Sequence, residues 1–325
     1  MYRIGFIGLG IVSQICHLPS FEENKKVKIT SLCDINKKLL IQVSKKYKDV
    51  KTYKYYKEML DNENLDAVIL SCDRFKTYEI ANYILKKKVN LFSEKPQALT
   101  SKKASYLIDM ANKNKVNYHV GYMKRFDNCI IYLKKKIIDK KKYGKLQNMY
   151  IENFTGDSYG NPYEYVKQKF KKRKQNIFLK YLNNFCHNIN LIRYLVGEVE
   201  YQDKLSKNLK LNGEGILKLK SNNIDIILNT RFTKSKIWHE TYHLNFEQAK
   251  IEVKMPIPLR KNESGNIKIF VFKSGDILKP FIKHGWSFRN QANYFVEVLG
   301  KRKDDINTSA KNSLKDIQII EKIFR

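Results

Sequence analysis

Two short stretches of this chain hold residue types whose spacing could do chemistry. The first is Gly8-Leu9-Gly10-Ile11-Val12-Ser13, set between an apolar run and a helix-like stretch. Glycine at position 8 permits a tight turn. Glycine at position 10 lets the backbone approach a diphosphate at the positive N-terminus of the following helix. Ser13 occupies the third small position, where glycine or alanine is usual, and is still small enough for close packing. Asp34 lies 21 residues beyond Ser13, at the end of the next apolar run. A carboxylate there accepts both hydroxyls of a ribose and repels a 2′-phosphate, so the pair of features predicts a dinucleotide site that takes NAD in preference to NADP. The plainer alternative is a structural glycine turn with a helix-capping aspartate. The second stretch is Glu94-Lys95-Pro96, directly after another apolar run. Lys95 could hydrogen-bond a substrate hydroxyl and help its proton leave. Its plainer reading is a surface lysine in a turn.

These residues need elements to hold them. Arg3 to Ile7, Val27 to Cys33, Leu65 to Ser71, Val89 to Ser93 and Asn117 to Tyr122 read as strands. Between them fall helical patterns: one ending near Pro19, then Asn36 to Lys48, Tyr78 to Lys87 and Ser101 to Asn114. Continuous apolar strands alternating with helices predict a parallel sheet covered on both faces, with ligands at its C-terminal edge. The second half reads differently. Lys145 to Phe154, Gly215 to Lys220, Ile224 to Phe232 and Tyr242 to Val253 look like longer strands, and Ser221-Asn222-Asn223 is a hairpin signal. Helices over His187 to Val196, Ser287 to Leu299 and Ser309 to Phe324 are expected to cover one face of this mostly antiparallel sheet. The predicted organisation is an α/β Rossmann domain over residues 1–122 and an α+β domain over 123–325 for substrate binding and oligomerisation.

Composition removes several classes. Among 325 residues there is no apolar run long enough to span a membrane, and MYRIGFIGLGIV lacks the layout of a signal peptide. Cys16, Cys33, Cys72, Cys129 and Cys186 form no C-x-x-C pair, so neither a disulfide framework nor a metal site is expected, and a cytoplasmic location fits. The formal charge of +31 invites a nucleic-acid partner, but only ten of the 63 basic residues are arginine and the lysines are spread along the chain. A solvated lysine surface is the better reading, with no nucleic acid and no membrane as partner. Lys167 to Lys174 is the one conspicuous low-complexity segment.

Taken together, the motifs resemble the Gfo/Idh/MocA family of NAD(P)-dependent oxidoreductases. The resemblance rests on GFIGLGIVS, LDAVILS, VNLFSEKPQALT, VGYMKRFD, FCHNINLIRYLVGE, and the closing NQANYFVEVLG and SAKNSLKDIQIIEKIF. It implies hydride transfer between nicotinamide and a sugar, cyclitol or nucleotide sugar, in a homodimer or homotetramer. It also implies roles. Gly8, Gly10, Ile11 and Val12 line the diphosphate, Asp34 holds the adenosine ribose, and Ser71 and Cys72 flank the cofactor. Glu94 and Lys95 lie near the nicotinamide ribose and substrate, Arg125 sits at the pocket mouth, and His187 accepts the hydroxyl proton. The chain departs from the family pattern in places. Asn183 and Asn190 replace aspartates on either side of His187, Phe178 and Leu179 replace small glycines, and Asp73 and Thr77 stand where proline and histidine are usual. Asparagine can orient a group but cannot take up a proton. Tyr181 is an alternative acid/base, and Lys167 to Arg173 borders the substrate region. Two other readings remain open: a glycosidase of this fold using NAD transiently, and a non-catalytic NAD and sugar sensor.

Overall fold

The structure is a computed structural model that describes residues 1–155, 173–206, 209, 213–232, 238–301 and 309–324, with backbone only for 173–176. The Lys167 to Lys174 segment therefore lies outside the described residues, apart from the backbone of its last two. The chain divides into two compact units, Met1–Met123 with Phe288–Gln318, and Lys124–Ser287 with Ile319–Arg325.

The first unit is built on six parallel strands: β1 (Tyr2–Ile7), β2 (Val27–Cys33), β3 (Lys51–Tyr53), β4 (Ala67–Leu70), β5 (Asn90–Glu94) and β6 (Tyr118–Gly121). Their order is β3-β2-β1-β4-β5-β6. All four residues of β4 are buried, which is why that strand reads as an unbroken apolar run. The connections carry α1 (Leu18–Glu22), α2 (Lys37–Ser44), α3 (Tyr56–Asn62), α4 (Arg74–Lys86) and α5 (Ser101–Asn114). Side chains of Asn36, Asp73 and Thr100 cap α2, α4 and α5 by accepting backbone N–H bonds from Leu39, Phe75 and Lys103 respectively. The first helical stretch does not stop at Pro19. A π-type turn at Ser13–His17 leads into α1, where Pro19 occupies the first turn and its missing N–H breaks no helical bond.

The second unit holds α6 (Asn128–Tyr132), α7 (Arg173–Lys180), α8 (Cys186–Val196) and eight strands. These are β7 (Leu146–Thr155), β8 (Glu200–Lys204), β9 (Gly215–Ser221), β10 (Ile224–Phe232), β11 (His239–Phe246), β12 (Ala249–Lys254), β13 (Asn266–Val271) and β14 (Ile277–Leu278). The order is β14-β13-β12-β11-β7-β10-β9-β8, and only β7 and β10 pair in parallel. The hairpin at Asn222-Asn223 forms as its sequence predicts, with Ser221 opposite Ile224. Tyr242 to Val253 is not one strand. It breaks at Glu247 and Gln248, whose N–H groups donate to the carbonyls of Lys145 and Tyr143.

Two long helices follow, α9 (Ser287–Val298) and α10 (Ala310–Phe324). The sequence places α9 over the antiparallel sheet, but it packs on the parallel one. Phe295 meets Phe92 and Phe21 edge to face at 5.4 and 6.1 Å, and Ala292, Val296 and Leu299 fill the same core. Its apolar stripe fixes which face is buried but not which sheet receives it. This is why Phe288–Gln318 returns to the first unit. Among the described residues, no helix is long and apolar enough to cross a membrane.

Candidate functional site

The glycine turn sits where the strand order reverses, between β1 and β4, the usual place for a ligand in such a sheet. Gly8 has φ +87°, and its N–H donates to the Cys33 carbonyl at 2.9 Å. A Cβ there would lie 2.3 Å from the Ser71 carbonyl oxygen, so glycine is required by sterics as well as by φ. Gly10 differs. A Cβ added to it would meet nothing within 4 Å, so the protein itself makes no demand for glycine at that position. Ile11 beside it is 62% exposed, and Val12 is half-buried. Bare, accessible main chain at the start of a helical stretch is a fitting cradle for a diphosphate. Ser13 is fully buried, in keeping with a small residue chosen for close packing.

Asp34 does not cap α2; Asn36 does. Instead its Oδ2 accepts the Leu9 N–H at 2.7 Å and its Oδ1 accepts the Asn36 N–H at 2.8 Å. The carboxylate thus braces the glycine turn from the end of β2, and its remaining lone pairs suit ribose hydroxyls. Ser71 and Cys72 follow β4, both half-buried, and the Ser71 N–H donates to the Ile7 carbonyl at 2.9 Å. Burial pushes the Cys72 thiol up to about 11, so it is no nucleophile at neutral pH. The departures at Asp73 and Thr77 have a local reason. Asp73 is the N-cap of α4, and the Thr77 hydroxyl donates back to the Asp73 carbonyl at 3.4 Å.

At the end of β5, Glu94 accepts the Lys95 N–H on Oε2 at 3.1 Å, while its Oε1 lies 2.7 Å from His17 Nε2. Burial pushes the Glu94 carboxyl up, but the hydrogen bond and charge of His17, with Lys95, outweigh it and hold the group below its usual value. His17 is 1% exposed and lies edge-on to Phe92 and Phe288 at 5.4 and 5.6 Å. Sequence reasoning missed His17. The only signal was a lone histidine in an otherwise apolar stretch. Lys95 itself is half-buried in the turn that Glu94 braces.

In the second unit, a π-type turn at Tyr181–Phe185 precedes α8. Asn183 lies in that turn and donates to the Asn184 side chain at 3.1 Å, and His187 sits half-buried in the first turn of α8. Asn190 points inward. It accepts from Arg125 on both its side chain, at 2.5 Å, and its carbonyl, at 2.9 Å. Arg125 is 3% exposed and lies 5.2 Å from the centre of the Tyr194 ring, so it is an interior guanidinium and not a residue at a pocket mouth. Tyr181 is also displaced from its expected place. It is fully buried, its hydroxyl 2.7 Å from Thr230 Oγ1 and its ring 4.7 Å from both Phe185 and Phe324. Burial pushes its hydroxyl far above the ordinary value, which removes it as an acid/base at neutral pH. Phe178 and Leu179 are large because they pack inside: Phe178 stands edge-on to Phe324 and Leu179 is 3% exposed. Among the described residues, no cluster of three or more histidine, cysteine or acidic side chains could hold a metal.

A parallel sheet with this strand order, a glycine turn at its reversal point and a carboxylate at the end of β2 define an NAD(P)-binding Rossmann fold. Residues 2–122 match the Gfo/Idh/MocA family model, described as "Oxidoreductase family, NAD-binding Rossmann fold". Myo-inositol 2-dehydrogenase of Thermotoga maritima is 26% identical over 198 residues, 60% of this chain and 55% of that protein. The rhizopine catabolism protein MocA of Rhizobium meliloti is 24% identical over 150 residues, 46% of this chain and 45% of that protein. The chain thus spans about half the length of these curated relatives. A dehydrogenase (MviM) from Clostridium difficile superposes with TM-score 0.79 at 20% identity, over 99% of this chain and 98% of that one. KijD10, a 3-ketoreductase from Actinomadura kijaniata in complex with NADP and TDP-benzene, gives 0.81 at 12% identity, over 99% and 96%. At these identities the likeness is one of fold.

Proposed function

We propose that the chain is an NAD-preferring oxidoreductase that moves hydride between nicotinamide and a hydroxyl-bearing carbon of a sugar, cyclitol or nucleotide sugar. The observation that carries this reading is the cradle: an open Gly10 and an Asp34 carboxylate braced on the Leu9 N–H. The bound dinucleotide would supply the hydride chemistry. Gly8, Gly10, Ile11 and Val12 would hold its diphosphate, and Asp34 its adenosine ribose. Ser71 and Cys72 would flank it, and Glu94, fixed by His17, would set the turn that presents Lys95. Lys95 would bond the substrate hydroxyl, and His187 would take up its proton. Asn183 would serve as a neutral hydrogen-bonding partner there. That the relatives include a myo-inositol 2-dehydrogenase and the structural neighbours a 3-ketoreductase supports the substrate class. None of the five cysteines is in a disulfide, as a reducing cytoplasm would keep them. Self-association as a homodimer or homotetramer belongs to the same reading, and sedimentation showing only monomer at micromolar concentration counts against it.

The test is absorbance at 340 nm with NAD and NADP across a panel of cyclitols, sugars and nucleotide sugars. Reduction of NAD by at least one polyol is expected. Lys95→Ala and His187→Ala should each keep NAD affinity and lower turnover by about 10²- to 10⁴-fold. Bond cleavage in a glycoside without net NADH would instead identify a glycosidase. Binding of sugar and NAD together without hydride exchange would identify a sensor.

A further inference from the structure

The second unit buries a polar cluster to which the reading above gives no role. Glu240, on β11, is fully buried, and Lys124, 4% exposed, donates to both its carboxylate oxygens. The Tyr242 hydroxyl donates to Glu240 Oε1 at 2.8 Å. Asn188 Nδ2 donates to the same oxygen at 3.1 Å and to the Tyr242 hydroxyl at 2.8 Å. Asn188 Oδ1 in turn accepts from Asn153 Nδ2 on β7 at 2.5 Å. The Lys124 ammonium lies 5.5 Å from the centre of the Trp238 ring. Asn188 is the residue after His187, and Asn190, two further on, carries Arg125. The first turn of α8 is therefore tied to the sheet through buried asparagines and not only through apolar packing.

The geometry sets how tightly this tie holds. Side-chain tips lie about 5 Å from a helix axis, so turning α8 by about 20° would move them by about 2 Å. Hydrogen bonds of 2.5 to 3.1 Å do not survive that displacement, whereas apolar contacts slide. A buried ion pair is also a poor device for stability, because well-packed apolar replacements are often neutral or stabilising. Orientation is the property that directional bonds supply and apolar side chains do not.

We propose that Glu240 is a positioning residue: with Lys124, Tyr242 and Asn188 it fixes the rotation of α8 and so the direction in which His187 presents its imidazole. The consequence for turnover rests on His187 being the proton carrier proposed above. The test uses the full chain, labelled with ¹⁵N-histidine and with the His187 ring signals assigned through His187→Gln. Lys124→Met/Glu240→Leu removes one positive and one negative charge together, so a change at His187 is not a net-charge effect. This variant should stay folded, with Tm within about 5 °C of wild type. Its His187 ring signals should shift, and kcat should fall about 10-fold or more with KM for NAD unchanged. Tyr242→Phe, which deletes one hydroxyl and keeps the ring, should act in the same direction and less. A folded double variant with wild-type His187 signals and turnover overturns the proposal. If the double variant does not fold, Tyr242→Phe with unmoved His187 signals overturns it. The ring signals are read without turnover, so a wild type that moves no hydride sinks the oxidoreductase reading and leaves this test standing.

Discussion

Asp34 braces the glycine turn in the structure and holds the ribose in the proposed function, and substitutions can separate the two. In the free protein its Oδ2 accepts the Leu9 N–H at 2.7 Å and its Oδ1 the Asn36 N–H at 2.8 Å. Leu9 is fully buried, so Asp34→Ala leaves a buried donor without its acceptor, which costs about 1–3 kcal/mol. Asn36 faces solvent, and water replaces its lost bond at little cost. The expected fall in Tm is about 3–10 °C. The effect on the dinucleotide is separate. Two ribose hydroxyls bonded to a carboxylate contribute about 1.5–3 kcal/mol each, net of competition with water, so Asp34→Ala should weaken NAD by about 100-fold or more. A 2′-phosphate near that carboxylate is repelled by about 1–4 kcal/mol per charge pair at 4 Å, depending on solvent exposure. Wild type should therefore favour NAD over NADP by about 10-fold or more, and Asp34→Ala should erase most of that preference. Asp34→Asn keeps an acceptor for Leu9 and loses the charge, so it should recover stability without recovering the preference. Titration by fluorescence quenching measures both affinities, and calorimetry measures Tm. Wild type that binds NADP as tightly as NAD, or an Asp34→Ala protein with an unchanged ratio, refutes the reasoning.

Three further outcomes follow from the geometry. Gly8→Ala, with its Cβ 2.3 Å from a carbonyl oxygen, should cost at least about 3 kcal/mol, whereas Gly10→Ala should leave Tm within about 2 °C and weaken NAD at least about 10-fold; calorimetry and titration of the pair check the contrast. His17→Leu removes the partner that holds Glu94 at 2.7 Å and should cost about 2 kcal/mol in urea denaturation at pH 7, with turnover reduced and NAD affinity largely kept. Burial pushes His119 down to about 4 from 6.5, so its contribution to stability is fully present above pH 6.5 and is lost as pH falls through 4, about 3 kcal/mol in all. His119→Leu should flatten the decline of urea midpoints across that window; an unchanged slope would show that other groups cause it.

The dinucleotide half of the site was legible because its determinants are local. Gly8, Gly10 and Asp34 lie within one strand-helix-strand passage, and the fully buried β4 leaves an apolar run that few other elements produce. Boundaries at β2, α5 and β10 fall where the pattern puts them. What the pattern could not carry is destination. The stripe of α9 is as apolar as any helix needs, yet only the ring contacts of Phe295 reveal that it covers the parallel sheet. β3 and α3 are three and seven residues long, too short to show a period.

The candidate site residues of the second unit were poorly legible for a different reason, and α8 shows it. Asn183, His187 and Asn190 stand at i, i+4 and i+7, a spacing that places three side chains along one face of an uninterrupted α-helix. The π-type turn at Tyr181–Phe185 interrupts that register before His187. Asn190 turns inward to Arg125, while Asn183 and His187 keep partial exposure. The same interruption leaves Tyr181 in the core against Phe185 and Phe324. Three polar positions that spacing treats alike thus divide into an interior anchor, Asn190, and two half-buried side chains, Asn183 and His187. The division is set by Glu240, Tyr242 and Arg125, which stand from 52 to 65 residues away from the asparagines they hold. Spacing within one helix cannot report partners at that separation, so only the burial of Asn188 and Asn190 marks them as interior anchors of α8.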